Sequence, residues 1–174
     1  MFIELLQRRR SIRKYLARQV EEEKIDLLIE AALRSPSGRG IYPWEFIVVT
    51  DKLLLEKLSR AKMHGSAFLK GAPLAIVICA DPDKQDVWIE DTSIAAITIH
   101  YAAASLGLGS CWSQIRKRNH SDLELAEPYV LKVLNLPEHL KVLAMVAIGY
   151  PDEQKTGHPK AKLRYEKVHQ ETYK

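Results

Sequence analysis

Cysteine is scarce in this chain of 174 residues: only Cys79 and Cys111 occur, both among apolar or small residues. Neither belongs to a Cys-x-x-Cys pair or a Cys/His cluster, so the sequence has no disulfide framework and no structural zinc motif. The six histidines are scattered without ligand spacing, and we expect no metal. Free, buried thiols in a reducing compartment are the expectation, which favours a cytoplasmic location.

Long apolar runs, repeats, linkers and low-complexity segments are also lacking. No run approaches the length of a membrane span, and residues 1–7 carry a charge and are too short for the apolar core of a secretory signal. We therefore expect no membrane association. With 47% hydrophobic residues, a chain of this length predicts a single domain over residues 1–174.

Charge of one sign is not concentrated in a long stripe. The 26 basic and 22 acidic residues give a formal net charge of +4, but the acidic residues are interspersed with the basic ones. Aromatic residues make up 7% of the chain and do not alternate with the arginines, as a stacking platform for single-stranded nucleic acid requires. The composition therefore indicates mild basicity, and we expect no nucleic-acid partner.

Apolar periodicity and turn residues predict four helices and four strands. The first predicted helix begins at the acidic run 21–23 and ends before Ser35. The other three cover 51–62, 88–106 and 121–135, and the last of them is interrupted or restarted at Pro128. The predicted strands are 45–50, 74–80, the stretch that follows 107–110, and 142–151. The polar, proline-containing tail, residues 152–174, would make a poor core, so it either wraps a neighbour or frays.

The predicted helix 88–106 is apolar nearly all round. A helix without a polar face must be covered on most sides, and in so small a protein a second subunit is the obvious cover. We therefore expect a homodimer. The alternative is a central helix that a monomer buries against its own sheet.

The densest basic cluster is Arg8-Arg9-Arg10-Ser11-Ile12-Arg13, just after a short apolar stretch. Guanidinium groups offer planar, paired donors that match phosphate oxygens, and the serine hydroxyl adds a neutral donor. Such a cluster suits a phosphate. The alternative is a solvated basic helix end.

Four stretches, taken in order, resemble the nitroreductase family of flavin enzymes. They are Arg9-Arg10-Ser11-Ile12-Arg13, residues 35–46, residues 107–112, and Gly149-Tyr150-Pro151 followed by Lys162-Leu163-Arg164. No single stretch is specific to the family, but all four in this order and at this spacing in one chain are specific to it. The resemblance implies an α+β fold, an α-β-α sandwich with a mixed, mostly antiparallel central sheet flanked by helices. It also implies an intertwined homodimer with two FMN molecules at its interface, in which residues 152–174 wrap the partner.

The resemblance further implies roles for individual residues. Arg9 and Ser11 would hold phosphate or ribityl oxygens, with Arg10 in the same loop. Arg13 would lie near the pyrimidine edge of the flavin ring, where a fixed cation favours the reduced, anionic ring. Lys162 and Arg164 would close over the phosphate; judged without the resemblance, they belong to a solvated tail.

Two other stretches would contact the ring in such an enzyme. Pro36-Ser37-Gly38 would come from the other subunit, and small residues there let the main chain approach a flat ligand closely. Trp112, Ser113 and Gln114 match the stretch beside the hydride-accepting ring nitrogen. A dinucleotide fingerprint is excluded, because Gly107 and Gly109 follow a helix rather than a strand and lack a third glycine.

The activity that the resemblance implies is hydride transfer from NADH or NADPH through FMN to a small electron-poor acceptor, such as a nitroaromatic or a quinone, by ping-pong chemistry. The flavin carries the chemistry, so no side chain is predicted as catalytic. The open alternative is a flavin-binding storage or sensor protein without turnover. The chain departs from the family pattern at Gly40 and Tyr42, where asparagine and glutamine are common. Lys62 and His64 are the candidates for a further ring contact.

Overall fold

The computed structural model describes residues 1–173 and has a single four-stranded sheet in the order β1-β2-β4-β3. All three strand pairings are antiparallel. A parallel bridge between Ser11 and Ser110 extends the sheet beyond β3 and makes it mixed. The strands are β1 (Trp44–Val49), β2 (Leu74–Ala80), β3 (Gly109–Gln114) and β4 (Lys141–Gly149).

Four α-helices cover the two faces of this sheet, and a fifth, short helix at the N-terminus packs against one of them. Leu58 and Val130 join the apolar cluster on one face, and Leu28 and Ile99 join the cluster on the other. Strand β2 lies between them and is buried at every position, which explains its uninterrupted apolar sequence. The architecture is therefore an α-β-α sandwich. The helices are α1 (Phe2–Arg8), α2 (Glu22–Leu33), α3 (Lys52–Ser59), α4 (Trp88–Ser105) and α5 (Ala126–Leu134).

Most predicted elements are confirmed, but the helix predicted over 121–135 is wrong at its start. Residues 121–125 form a turn, in which the Glu124 carbonyl accepts from the backbone N–H of His120 at 2.8 Å. Helix α5 begins only at Ala126. Pro128 then lies in the first helical turn, where a missing N–H removes no intrahelical hydrogen bond, so it does not interrupt the helix. Within residues 1–173, no helix is both long and apolar enough to cross a membrane.

Helix α4 is covered by its own chain on only one side. Ala96 and Ile99 are buried, whereas Ile94 and Ile97 are exposed. The exposed side continues to Tyr101, whose ring meets the ring of Phe2 edge-on at a centroid distance of 5.3 Å. Helix α1 buries none of its residues. The chain thus leaves an apolar strip along α4 and α1, made of Phe2, Ile94, Ile97 and Tyr101.

Both cysteines are buried and free, as the sequence predicts. Burial raises the pKa of the Cys79 thiol to about 12 and also raises the pKa of Cys111.

Candidate functional site

Residues 8–13, here called the arginine segment, leave helix α1 and run beside the edge strand β3. The backbone N–H of Ile12 donates to the Ser110 carbonyl at 3.0 Å. The contact is so close that a Cβ on Gly109 would come within 2.8 Å of the Ile12 side chain. Backbone pairing therefore fixes the segment, and a glycine at position 109 makes that pairing possible.

A cavity of about 970 Å³ opens between the arginine segment, the turn at 107–110 and residues 151–157. Its basic lining residues are Arg8, Arg9, Arg10 and Lys155. Its acidic lining residue, Glu153, is already engaged: it accepts from the Arg13 N–H at 2.5 Å and from Lys155 at 3.0 Å. Those hydrogen bonds hold the pKa of Glu153 below its usual range. The volume is typical of a small-molecule site, and the donors suit a phosphorylated ligand.

The start of the tail is fastened to the arginine segment. Lys155 Nζ donates to the Ser11 carbonyl at 2.9 Å, and the Arg10 guanidinium donates to the Thr156 carbonyl. Lys155 was not predicted, because a lysine in a polar tail follows no recognisable pattern. The structure does not bring the predicted pair Lys162 and Arg164 to this cavity.

Beneath the cavity, a buried histidine on α4 supports β3. His100 Nδ1 lies 2.7 Å from Ser110 Oγ, and the His100 ring stacks on Trp112 with 6.5 Å between centroids. Burial, with a smaller contribution from the charge of Arg9, lowers the pKa of His100 to about 4. The imidazole is therefore neutral near pH 7. Sequence reasoning missed this pair, because a lone histidine in an apolar helix carries no signal of its partner.

The later half of β3 is tied to the neighbouring loop. Ser113 Oγ donates to the Gly65 carbonyl at 3.3 Å, and Trp112 Nε1 donates to Gln114 Oε1 at 3.0 Å. Arg13 and Lys62 both lie within electrostatic reach of the buried Cys111 thiol. The structure thus places two cations beside the strand that carries Trp112, Ser113 and Gln114. His64 is exposed.

Lys62 is half-buried, and this burial lowers the pKa of its ammonium group, with the nearby charge of Arg118 adding to the effect. A cation with a weakened preference for its charged form gains from an anionic neighbour. Of the two predicted candidates for a further ring contact, Lys62 is thus partly buried and His64 is exposed.

Residues 35–42, here called the serine loop, are held by two buried side chains. Ser37 Oγ donates to Asp91 Oδ2 at 2.7 Å, and the Gly38 N–H donates to Asp91 Oδ1 at 2.9 Å. Gln85 Nε2 donates to the Gly38 carbonyl at 2.8 Å. Asp91 and Gln85 are each only 2% exposed. The serine loop is thus rigid, although it does not line its own chain's cavity.

The loop's backbone is unusual at Gly40 and Tyr42, the two positions that depart from the family pattern. Tyr42 has a left-handed backbone, with φ of 52°, and its N–H donates to Ser37 Oγ at 3.0 Å. Gly40 is also left-handed, with φ of 67°, which glycine adopts without strain. The unusual residues at these positions are therefore part of a closed turn.

Comparisons with known proteins show which family and which fold this chain shares. The nitroreductase family model matches residues 6–65 and 60–150. The FMN-dependent nitroreductase of Clostridium difficile R20291 has a TM-score of 0.97 and 49% identity, over 98% of this chain and 99% of that one. An Archaeoglobus fulgidus protein, whose provisional name is NADH dehydrogenase/NAD(P)H nitroreductase, is 38% identical over 157 residues, 88% of this chain and 87% of its own. The NADPH:FMN oxidoreductase of Vibrio harveyi, solved with NAD⁺, has a TM-score of 0.83 and 25% identity, over 99% of this chain and 78% of that one.

Proposed function

The chain belongs to the nitroreductase family, and from this premise we propose that it binds FMN and passes hydride from NADH or NADPH to a small electron-poor acceptor. The observation that carries the proposal is the cavity beside the arginine segment, which Arg8, Arg9, Arg10 and Lys155 line. The phosphate of FMN is an anion that needs such donors, and because Lys155 balances the charge of Glu153, the charges of the three arginines are left for the phosphate. The residues present therefore fit the cofactor.

In this proposal each part of β3 and the arginine segment has a task. Arg9, Arg10 and Ser11 hold the phosphate and ribityl oxygens, while Arg13 and Lys62 stand at the pyrimidine edge of the ring. Trp112, Ser113 and Gln114 offer backbone contacts to the ring. Bound FMN supplies the group that accepts hydride and passes it on. The protein contributes orientation and two fixed cations, which favour electron-rich states of the ring.

The overall reaction is balanced by a proton from water. NAD(P)H, H⁺ and a quinone yield NAD(P)⁺ and the hydroquinone, so the acceptor gains two electrons and two protons. We propose that NAD(P)H and the acceptor use the same pocket in turn, which is ping-pong chemistry. Nitroaromatics and quinones are the acceptor classes to try first, and the reducing cytoplasm is the proposed location.

We propose a homodimer for a reason that the site itself supplies. The serine loop is rigid yet lies away from its own chain's cavity, and the apolar strip of Phe2, Ile94, Ile97 and Tyr101 is left uncovered. A partner subunit that covers the strip would bring Pro36, Ser37 and Gly38 to the ring. Because Asp91 already takes the Ser37 hydroxyl hydrogen and the Gly38 N–H, this loop would contribute close packing more than hydrogen-bond donors.

The tail has a corresponding task in the proposed dimer. Lys162 and Arg164 are exposed and do not line the cavity of their own chain. In the proposed dimer, residues 152–174 wrap the partner, and these two cations close over a phosphate.

The visible absorption spectrum tests this proposal. FMN-loaded protein should lose its yellow colour when NADH or NADPH is added without oxygen, and a quinone should restore it. Initial rates over a grid of both substrates should give parallel double-reciprocal lines, and light scattering should give the mass of a dimer. Bound flavin that neither nucleotide bleaches would favour the storage or sensor alternative. A protein that stays colourless and monomeric after incubation with FMN would overturn the proposal.

A further inference from the structure

A second basic cleft, of about 490 Å³, lies beyond the far end of β3. Its charged and aromatic lining residues are Trp88, Arg116, Lys117, Arg118, Glu127 and Lys141. None of these residues takes part in the cofactor site described above. The cleft therefore needs its own explanation.

The charges of this cleft do not cancel. Lys141 is paired with Glu127 at 3.7 Å, and the other oxygen of Glu127 accepts from the Val142 N–H at 3.1 Å. Within residues 1–173, no carboxylate forms an ion pair with Arg116, Lys117 or Arg118. Three cations thus converge without a counter-charge, an arrangement that an anionic ligand stabilises.

Hydrogen bonds order the backbone that carries these cations, while the side chains of Lys117 and Arg118 are exposed. The N–H groups of Ile115 and Arg116 both donate to the Leu143 carbonyl at 3.0 Å. Arg118 N–H donates to the Ile115 carbonyl at 3.0 Å, and Lys117 between them has a left-handed backbone with φ of 56°. Binding of a ligand here would therefore lose little conformational entropy of the loop backbone.

An aromatic face stands beside the cations. The Arg116 guanidinium lies over the Trp88 ring, 5.9 Å from its centroid, and the indole is only partly buried, so an aromatic ligand would stack on its remaining exposed surface. Nucleic-acid bases stack well on indole rings, and arginine pairs with phosphate through two parallel hydrogen bonds. An aromatic plane next to unpaired arginines suits a ligand that joins a base to phosphates, which is the chemistry of an adenine nucleotide.

The cleft adjoins the part of the molecule where the flavin ring is proposed to lie. Gln114 Nε2 donates to the Arg116 carbonyl at 3.2 Å, and the Met63 N–H donates to the Asn119 carbonyl at 3.2 Å. The turn that carries the cations is thus bonded to both segments that face the ring. A dinucleotide whose nicotinamide lies on the ring could reach the cleft with its other half.

We infer that this cleft binds the adenosine half of NAD(P)H, with the phosphates on Arg116 and Arg118 and the adenine against Trp88. The inference rests on the proposed function, which accounts only for the nicotinamide half. The three unpaired cations exceed the two negative charges of the pyrophosphate. That excess suits the additional 2′-phosphate of NADPH, so NADPH is the preferred reductant.

The test compares two reductants that differ only in this half. Reduced nicotinamide mononucleotide carries the same hydride as NADPH but has no adenosine. In FMN-loaded protein, Arg116→Gln should raise the KM for NADPH about tenfold, leave kcat unchanged, and not alter kinetics with the mononucleotide. Arg116→Lys should recover part of the loss. Lys132→Gln, at an exposed lysine of α5 outside the cleft, is the control, and an unchanged FMN content shows that each variant folds.

A binding measurement provides a readout that is independent of turnover. Adenosine 2′,5′-bisphosphate should quench tryptophan fluorescence, compete with NADPH, and lose its quenching signal in Trp88→Phe. An equal change of KM for both reductants, or no change for either, overturns the assignment, as does a bisphosphate that binds without competing. If neither reductant bleaches the flavin, the proposed function fails and this assignment fails with it. Bleaching by both reductants with an unchanged KM overturns the assignment alone.

Discussion

The arginine segment and the serine loop are both proposed to contact the cofactor, but the molecule positions them by different means. Residues 8–13 are held by backbone pairing to β3, at the Ser11–Ser110 bridge and the Ile12 hydrogen bond. Residues 35–42 are held by the side chains of Asp91 and Gln85, which lie about fifty residues away along the chain. The first region depends on the sheet, whereas the second depends chiefly on one buried carboxylate.

Helix α4 contributes to both regions. Asp91 in its first turn anchors the serine loop, and His100, about two and a half turns later, supports Ser110 beneath the arginine segment. A single rigid helix thus sets the distance between the two anchoring points. The four predictions below separate the two means of positioning.

The largest expected effect comes from adding one methyl group beneath the arginine segment. In Gly109→Ala the new Cβ would lie 2.8 Å from the Ile12 side chain and would push the segment off β3. We expect a loss of about 3 kcal/mol in the free energy of unfolding, measured in urea, together with loss of FMN binding. Gly71→Ala is the matched control, since no atom lies within 4 Å of its new Cβ. Equal stability of the two variants would refute the packing argument.

Removal of the carboxylate should release the serine loop. Asp91→Ala leaves the Ser37 hydroxyl and the Gly38 N–H without their acceptor, and we expect a loss of about 2 kcal/mol in unfolding free energy. Limited proteolysis should cut residues 35–42 faster in this variant. Asp26→Ala, at an exposed position of α2, serves as the control. Unchanged proteolysis would show that the loop has another anchor.

Removal of one charge from the arginine segment should weaken FMN binding without lowering the stability of the fold. Arg9→Gln leaves the backbone pairing intact, so the free energy of unfolding without FMN should not change. The affinity for FMN should fall about tenfold, which corresponds to about 1.4 kcal/mol, in an absorbance titration. Arg60→Gln, in a surface pair with Glu56, should leave the affinity as it is. An unaltered affinity in Arg9→Gln would place the phosphate elsewhere.

The smallest effect concerns the buried histidine at acid pH. The pKa of His100 is about 4 in the folded protein and 6.5 as its ordinary value, so the unfolded chain takes up a proton first as the pH falls. Stability is therefore lost from about pH 6.5 downward, and we expect a loss of about 1 kcal/mol between pH 7 and 5.5.

This acid sensitivity should be absent from a variant that cannot titrate. His100→Asn lacks the ionisable ring, so urea unfolding across this pH range should not show that component of the loss. His64→Asn changes an exposed histidine instead, so this variant should lose stability at acid pH as the wild type does. If His100→Asn lost stability as steeply as the wild type, another group would be responsible.

Most of the fold was predictable from the sequence, because the pattern of apolar residues in each element depends on which of its faces is buried. Strand β2 has the predicted boundaries, 74–80, since a seven-residue apolar run that is rich in β-branched residues and bounded by turn residues favours a buried strand over a helix. The start of α5 was misplaced because the polar turn at 121–125 has helix-compatible residues, and its hydrogen bonds, rather than its composition, exclude a helix.

The candidate site was only partly predictable. The run of arginines is visible in the sequence because its members are neighbours in the chain. Lys155 and Asp91 are not visible in this way: one belongs to a polar tail and the other to an apolar helix. Their partners lie 144 and 54 residues away, and no periodicity relates residues over such separations.

The sequence by itself determined the strands, most of the helices and the basic character of the arginine segment, because these depend on residues close together in the chain. Only the tertiary structure decided which groups face one another: Lys155 and Ser11, Asp91 and the serine loop, Arg116 and Trp88. The physical reason is that a hydrogen bond or a stacked pair depends on distances of a few ångströms. The packing of helices on the sheet sets those distances.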